Sequence, residues 1–319
     1  MLKKNSAKLP IIFLLMSLFI ISGFAQDKSL KDQGKQVRTM TIPISFSLKK
    51  EEKKDLSEEF IQAGDLQVKE DGDQQVILSI RSVSNAPLAL AILIQDDLTS
   101  EANLKLGEIR NFIRSLPKGS RVMVAYLRVG TIQVRQKFTE DLEAAAKSLR
   151  IITSSASAAP SSPFQGVEES LKRFDALPGG RRAILLVSDG LDVSRGIESS
   201  TPSQSLDLDR AILKAQRKSV AVYSFYSPAS LTDNNSLLSL NGQGSLEKLS
   251  DETGGRAFFQ GSLAPISFEP FFKNLNKALN RQFALTYLST HLKKGYHKIQ
   301  VTSTNPEVKI EHPRGYYHR

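Results

Sequence analysis

Four short runs of nearly continuous apolar residues recur through the middle of the chain. They are Leu88–Ile94, Arg121–Val129, Arg182–Gly190 and Ser219–Tyr226. A strand that is covered on both faces reads as such a run, because neither of its faces has to be polar. Amphipathic segments with apolar residues at helical spacing separate the runs. This alternation predicts the α/β class, with a doubly wound, mostly parallel, Rossmann-like sheet.

The regions on either side of these runs have the pattern of short antiparallel strands. Met40–Leu48 alternates in part, and a turn at Asp71-Gly72-Asp73 joins two further strands. Near the end, "FALTYLS", "HKIQVTS" and "VKIEH" follow one another without a helix between them. We therefore predict one small β module built from both ends of the chain. The expected segments are an N-terminal β segment (38–84), the α/β domain (85–262) and a C-terminal helix and β segment (263–319).

The first 25 residues have the pattern of an export signal. Three lysines precede the apolar run Leu9–Ile21, and Ala25 stands where a signal peptidase would cut. The run is shorter than the about 20 apolar residues that span a bilayer, which favours a cleaved signal peptide (1–25) over a membrane anchor. Residues 26–37 form a polar linker. We expect export to the periplasm, the cell surface or the extracellular space, without a transmembrane segment after cleavage.

The amino-acid composition limits the kinds of site and partner that the protein can have. The chain has no cysteine, which excludes disulfides, thiolate metal ligands and cysteine nucleophiles. Its formal net charge is +10, but the basic residues are scattered among acids, so we expect no nucleic-acid partner. All histidines fall outside the α/β region, which disfavours a Ser-His-Asp triad. We expect them to be surface or turn residues of the β module. They are His291, His297, His312 and His318.

Oxygen-bearing side chains stand where the predicted strands end. They are Asp96-Asp97, Ser161-Ser162 and Ser188-Asp189. Ligands of open α/β sheets bind at the carboxyl ends of the strands, and oxygen donors suit Mg²⁺ or Ca²⁺ better than zinc. No phosphate-binding glycine-rich loop follows the first strand. The glycines of "NGQGSLEK" (Asn241–Lys248) predict a flexible turn.

The chain resembles the von Willebrand factor A (VWA) domain. The segments "LALAILIQDD", "GSRVMVAYL", "RRAILLVSDG", "VAVYSFY" and "LEKLSDETGGRAFF" occur in the order and spacing of that family's strands and helices. The flanking strands are similar to those of an exported bacterial subgroup, so the resemblance covers about residues 38–319. It implies a VWA fold that contacts a protein partner at the top of its sheet.

Many VWA domains hold a metal ion in a motif Asp-x-Ser-x-Ser, with a Thr and an Asp from two other loops. The resemblance places Asp189 at the third-loop acid. Counting from Asp96 puts Ser100 at the last hydroxyl but leaves Leu98 at the middle one. Counting from Asp97 puts Thr99 at the middle position but Glu101 at the last. If the final apolar residues of the strand set the frame, Gln95 takes the first Asp position. Ser161 or Ser162 could substitute for the Thr.

The resemblance thus implies a non-enzymatic exported protein with a degenerate metal site. Its predicted ligands are Asp96, Ser100 and Asp189, with Asp97 and Ser162 as further candidates, and Mg²⁺ or Ca²⁺ as the ion. A protein partner would supply an acidic side chain as the last ligand. Two alternatives stay open at this point. One is a Mg²⁺-dependent hydrolase or transferase that uses the same acids, and the other is a metal-free structural or interaction domain.

Overall fold

The computed structural model describes residues 37–48, 65–83, 86–153, 160–177 and 180–318. The predicted signal peptide (1–25) and residues 26–36 of the predicted linker lie outside them. In the described part of the chain, no helix has the length and apolar character that crossing a membrane requires.

The described residues form strands and helices in the predicted order. The strands are β1 (Arg38–Leu48), β2 (Leu66–Glu70), β3 (Asp73–Ser82), β4 (Leu88–Gln95), β5 (Arg121–Arg128), β6 (Thr131–Thr139), β7 (Arg181–Ser188), β8 (Ala221–Tyr226), β9 (Ala257–Phe258), β10 (Gln282–Ser289), β11 (Gly295–Ser303), β12 (Val308–Glu311) and β13 (Gly315–His318). The helices are α1 (Leu106–Arg114), α2 (Leu142–Lys147), α3 (Pro163–Ser170), α4 (Leu206–Arg217), α5 (Ser236–Thr253) and α6 (Glu269–Asn280).

The apolar runs form a six-stranded mixed sheet in the order β6-β5-β4-β7-β8-β9. β5, β4, β7, β8 and β9 run parallel to one another, and β6 is an antiparallel edge strand paired with β5. Side chains of β4 alternate between two cores, with Ile92 in one and Leu93 in the other. Helices α1, α2 and α6 pack in the first core and α3, α4 and α5 in the second. The α/β class is therefore present, with helices on both faces of the sheet.

Strands from both ends of the chain pair in a second, antiparallel sheet of order β12-β1-β10-β3-β2-β11-β13. Ile42 of β1 lies opposite Leu285 of β10, and Val68 of β2 opposite Val301 of β11. These residues belong to the core of this sheet, so the pairing expected between the flanking strands is observed. His297 of β11 is only 4% exposed, and the prediction of a surface or turn histidine is wrong there, because its side chain shares the inward face with Ile299.

Two details of the helices differ from the sequence pattern. The predicted turn at Asn241–Lys248 is wrong, since this segment lies inside α5. Its glycine has a packing role: a Cβ on Gly242 would lie 2.0 Å from the backbone oxygen of Asp189. Helix α6, which we assigned to the C-terminal segment, packs in the core of the six-stranded sheet, where Phe272 stacks on Phe112 at 4.5 Å.

Candidate functional site

The carboxyl ends of β4 and β7 lie side by side in the middle of the six-stranded sheet. The chain leaves β4 toward β5 on one side and leaves β7 toward β8 on the other. A crevice opens where the order of an open sheet reverses in this way, and ligands bind there. The structure therefore places the predicted acids at the edge of the sheet where a site is expected, which we call the carboxyl edge.

Gln95 is the residue that reaches from β4 to β7. Its Oε1 accepts hydrogen bonds from the Ser188 hydroxyl at 2.5 Å and from the Asp189 backbone N–H at 3.2 Å. Among the three possible frames, Gln95 thus takes the position beside Asp189. The resemblance implies a carboxylate at this position, and this chain has a neutral amide there.

Asp96 turns the other way, toward the loop that follows α2. Arg150 donates to both of its oxygens, from Nη1 to Oδ1 at 2.7 Å and from Nη2 to Oδ2 at 2.9 Å. The Arg150 guanidinium also stacks over the Tyr126 ring, 4.1 Å from the centroid, and Arg128 lies 3.9 Å from Asp96. Asp96 is 1% exposed, so this bidentate pair neutralises a buried carboxylate.

The next residues do not converge on the crevice. Leu98 is fully buried in the first core and forms an isolated bridge with Ala229, which explains an apolar residue at the middle hydroxyl position. Ser100 is exposed. The Thr99 hydroxyl oxygen is buried and, within the described ranges, has no hydrogen-bond partner.

Asp189 is buried and partly protonated at neutral pH. Burial raises its pKa to about 7, and the negative charge of Asp97 adds to the rise. Hydrogen bonds oppose it: the Leu191 N–H donates to Oδ1 at 3.1 Å and the Thr232 hydroxyl donates to Oδ2 at 3.2 Å, and Gln95 contributes as well.

Ser162 has a structural role. It is fully buried, and its hydroxyl oxygen accepts a hydrogen bond from the Phe164 N–H at 3.3 Å as the N-cap of α3. Its hydroxyl oxygen thus serves as the hydrogen-bond acceptor for an N–H group in the first turn of the helix.

The predicted ligand set does not fit a Mg²⁺ or Ca²⁺ ion. Both oxygens of Asp96 are bound by a guanidinium, and Ser100 faces solvent. In the described part of the chain, no three acidic or histidine side chains stand together at metal-ligand geometry. Of the predicted ligands, Asp97 and Asp189 remain, and the charge of Asp97 acts on Asp189.

Large apolar side chains surround this edge instead. Most of the exposed ones in the described residues lie in the loops at the carboxyl edge or in the first turns of the helices that follow these loops, and we call them the apolar rim. They are Leu104, Val129, Ile151, Ile197, Leu206, Leu231, Leu237, Leu240, Phe259, Leu263 and Ile266.

Hydrogen bonds join neighbouring segments of the apolar rim. The Asn103 side chain donates to the Ile152 carbonyl and accepts from its N–H, which links the neighbours Leu104 and Ile151. On the other side, Gln243 of α5 donates to the Gly261 carbonyl at 2.7 Å. These hydrogen bonds hold together the segments that carry Leu104 and Ile151, and the segments that carry Leu240 and Leu263.

The strand order, the antiparallel edge strand and the loop positions agree with the resemblance in the sequence. The fold is VWA-like. No family model matches the chain. No curated protein matches it either.

Several solved structures align with the VWA-like fold. BatB from Bacteroides thetaiotaomicron, a conserved hypothetical protein, is 12% identical over 60% of this chain and 97% of its own, with a TM-score of 0.43. The SpRpn10 VWA domain is 11% identical over 57% and 92%, with a TM-score of 0.40. The human COPII-coat protein Sec24c is 9% identical over 76% and 44%, with a TM-score of 0.44. All three TM-scores are below 0.5, and these likenesses support no statement about the function of this chain.

Sequence reasoning missed Arg150 and the apolar rim of the VWA-like domain. Arg150 follows a short helix in a segment whose pattern has no feature of a site. The end of the apolar run offered the frame that begins at Gln95 as one alternative, but the ligand predicted there was Asp96. Exposure of the rim residues depends on how the loops fold, which a pattern of apolar residues does not reveal.

Proposed function

We propose that residues 37–318 form a protein-binding domain whose contact surface is the apolar rim of the carboxyl edge. The observation that carries the proposal is the exposure of rim residues on both sides of the crevice. Leu104 is 78% exposed, Leu237 66% and Ile266 92%. Exposed apolar groups that gather at one edge mark interaction surfaces.

The energetics favour contact with a protein. Burying one large aliphatic side chain contributes about 1.5–3 kcal/mol, so a partner that covers three or four rim residues gains enough to offset much of the cost of association. The rim is held by its hydrogen bonds before the partner arrives, which reduces the entropy lost on binding.

The hydrolase alternative has less support. It requires Asp96, Asp97 and Asp189 to hold Mg²⁺ for phosphoryl chemistry. Arg150 occupies both oxygens of Asp96, and Asp189 holds a proton for part of the time at neutral pH. We propose that the domain binds without catalysing a reaction.

A second candidate is metal-assisted binding through Asp97 and Asp189. The observation that favours it is that the charge of Asp97 acts on the buried Asp189 carboxyl. In that case a partner's acidic side chain would complete the ion's ligands. The two candidates differ in their response to a chelator, because the apolar rim needs no ion.

We further propose that the chain is exported, on the pattern of residues 1–25. The mass of the protein recovered from the cell envelope or the medium tests this. A mass lacking residues 1–25 is expected. A form that keeps them and stays inside the cell would contradict export.

Site-specific photo-crosslinking in cells tests the contact surface. A photoreactive phenylalanine derivative at Leu240 is expected to give a discrete crosslinked species. The matched control is the same probe at Val76, because the two sites are equally exposed, at 63% and 64%, while Val76 lies on the second sheet. Equal crosslinking at both positions, or none at Leu240, would rule out the rim as the contact surface.

A further inference from the structure

Histidines and acids gather around the turn between β2 and β3, in the seven-stranded sheet. His291 follows β10, His297 belongs to β11 and His318 to β13. The ring centroids of His291 and His297 are 5.9 Å apart, and those of His297 and His318 are 6.3 Å apart. Glu70, the last residue of β2, lies beside them and is fully buried.

Two of the histidines direct the same ring atom toward Glu70. The Nδ1 atoms of His291 and His297 each lie 3.7 Å from Glu70 Oε1. That oxygen also accepts hydrogen bonds from Ser289, at 2.9 Å, and from Tyr316. Two neighbouring atoms have no hydrogen-bond partner within the described residues: Glu70 Oε2 and His291 Nδ1. Buried polar atoms in native proteins are almost always paired, so both point to a missing group.

The Nε2 atoms of His291 and His297 already have hydrogen-bond partners. His291 Nε2 lies 3.2 Å from Asp73 Oδ2, and His297 Nε2 lies 2.6 Å from the Lys293 carbonyl oxygen. Both partners accept hydrogen bonds, so each Nε2 carries the proton and a neutral ring keeps its lone pair on Nδ1. Metal-binding histidines have this arrangement, with the second nitrogen donating to a carboxylate or a backbone carbonyl.

Protonation of the histidines leaves more of the buried polar atoms without a partner than a bound metal ion would. Asp71 Oδ2 lies 2.8 Å from His297 Nδ1, so a doubly protonated His297 would satisfy both of its own nitrogens. A proton on His291 Nδ1 would face Glu70 Oε1 at 3.7 Å, which is too long for a hydrogen bond, and Glu70 Oε2 would still have no partner in the described residues. A divalent cation between Glu70 and the two rings would contact both His291 Nδ1 and Glu70 Oε2, and it would also offset the charge of Asp71.

We propose that Glu70, His291 and His297, with Asp71 beside them, bind a divalent transition-metal ion of the Zn²⁺ class. Imidazole and carboxylate ligands suit this class. Ligand atoms of tetrahedral zinc lie about 3.3 Å apart for bonds of about 2.0–2.1 Å. The described side chains are not yet at metal-ligand geometry, and binding draws the 3.7 Å pairs inward by a few tenths of an ångström. The ion links β2, β11 and the segment after β10.

Zinc titration of the whole chain, free of any affinity tag and pretreated with EDTA, tests the site. Calorimetry with ZnCl₂ is expected to give one Zn²⁺ per chain. At a hundredfold excess of Zn²⁺ over its Kd, the melting temperature is expected to rise by about 5 °C. The His291→Gln and Glu70→Gln variants are expected to bind at least tenfold more weakly. His291 is the better test of the two, because its side chain is 22% exposed and the variant retains the core.

His312→Gln serves as the matched control, since it removes a histidine of the same region whose Nε2 already accepts from the Val301 N–H at 3.2 Å. It is expected to bind Zn²⁺ as the parent chain does. Absence of saturable binding, unchanged binding in His291→Gln, or equal binding of Mg²⁺ would each overturn the proposal. If the melting temperature changes with pH but does not change when Zn²⁺ is added, the cluster binds protons and not a metal ion.

Discussion

Replacing Asp189 with Asn is expected to stabilise the protein at alkaline pH. Burial, reinforced by the charge of Asp97, raises the pKa of Asp189 from 3.8 to about 7. Each pKa unit corresponds to about 1.4 kcal/mol, so ionising this carboxyl in the folded chain costs roughly 4 kcal/mol. The Asn variant has no charge to bury and avoids that cost.

The titration of Asp189 lowers the free energy of unfolding as pH rises. Below about pH 4, folded and unfolded chains both hold the proton, and Asp189 costs no stability. Between about pH 4 and pH 7 the unfolded chain releases the proton while the folded chain keeps it, so the free energy of unfolding falls as pH rises. Above about pH 7 both forms are ionised and the loss is constant.

The hydrogen bonds around Asp189 can be kept in the variant. The Asn oxygen can accept from the Leu191 N–H, as Asp189 Oδ1 does at 3.1 Å. The Asn amide can donate to Thr232 Oγ1, whose own hydrogen then goes to the Ala229 carbonyl oxygen, 3.2 Å away. The change in stability should therefore report the charge.

Urea unfolding at several pH values, with EDTA present, measures this effect. Asp189→Asn is expected to match the parent chain near pH 4 and to exceed it by up to roughly 4 kcal/mol at pH 8. A variant that is no more stable at pH 8, or a difference that does not change with pH, would refute the reasoning. If the parent chain gained more stability from Mg²⁺ than the variant did, the metal-assisted candidate would be favoured.

Three further substitutions test the packing of the carboxyl edge. Arg150→Ala should lower the free energy of unfolding by roughly 3 kcal/mol, because it leaves Asp96 buried and unpaired, and adding Asp96→Asn should recover part of the loss; no recovery would argue against the pair. Leu98→Ser should cost about 3 kcal/mol in urea unfolding, and a neutral result would show that position 98 can hold a hydroxyl. Gly242→Ala should lower the melting temperature by more than Gly244→Ala, since the nearest atoms to the new Cβ lie 2.0 Å and 3.1 Å away.

The α/β architecture could be predicted because burial alone produces its pattern. Strands covered on both faces, such as β4 with Ile92 and Leu93 in opposite cores, leave uninterrupted apolar runs. The second sheet was predictable for a related reason, since strands without helices between them belong to antiparallel sheets; β10, β11 and β12 pair with strands of the N-terminal segment and not with one another. Helix α5 was missed at Asn241–Lys248 because glycine is unfavourable in a helix unless packing requires it.

The chemistry of the edge was less predictable, because it depends on contacts between distant segments. Asp96 and Asp97 are adjacent, yet one pairs with Arg150 while the other lies near enough to Asp189 to raise its pKa. No local spacing distinguishes the two. The same holds for Glu70 and His291, which come together only because β3 pairs with both β2 and β10.

Crosslinking with and without a chelator tests the central claim most directly. A photoreactive residue at Leu263, which is 63% exposed, reports contact in cell extracts, in the parent chain and in a chain carrying Leu237→Ser and Leu240→Ser. Contact through the apolar rim predicts a yield that falls sharply with the two serines and is the same in EDTA as in Mg²⁺. A crosslinking yield that is the same in the parent chain and the double serine variant would contradict an apolar contact. A yield that disappears in EDTA would contradict a metal-free contact.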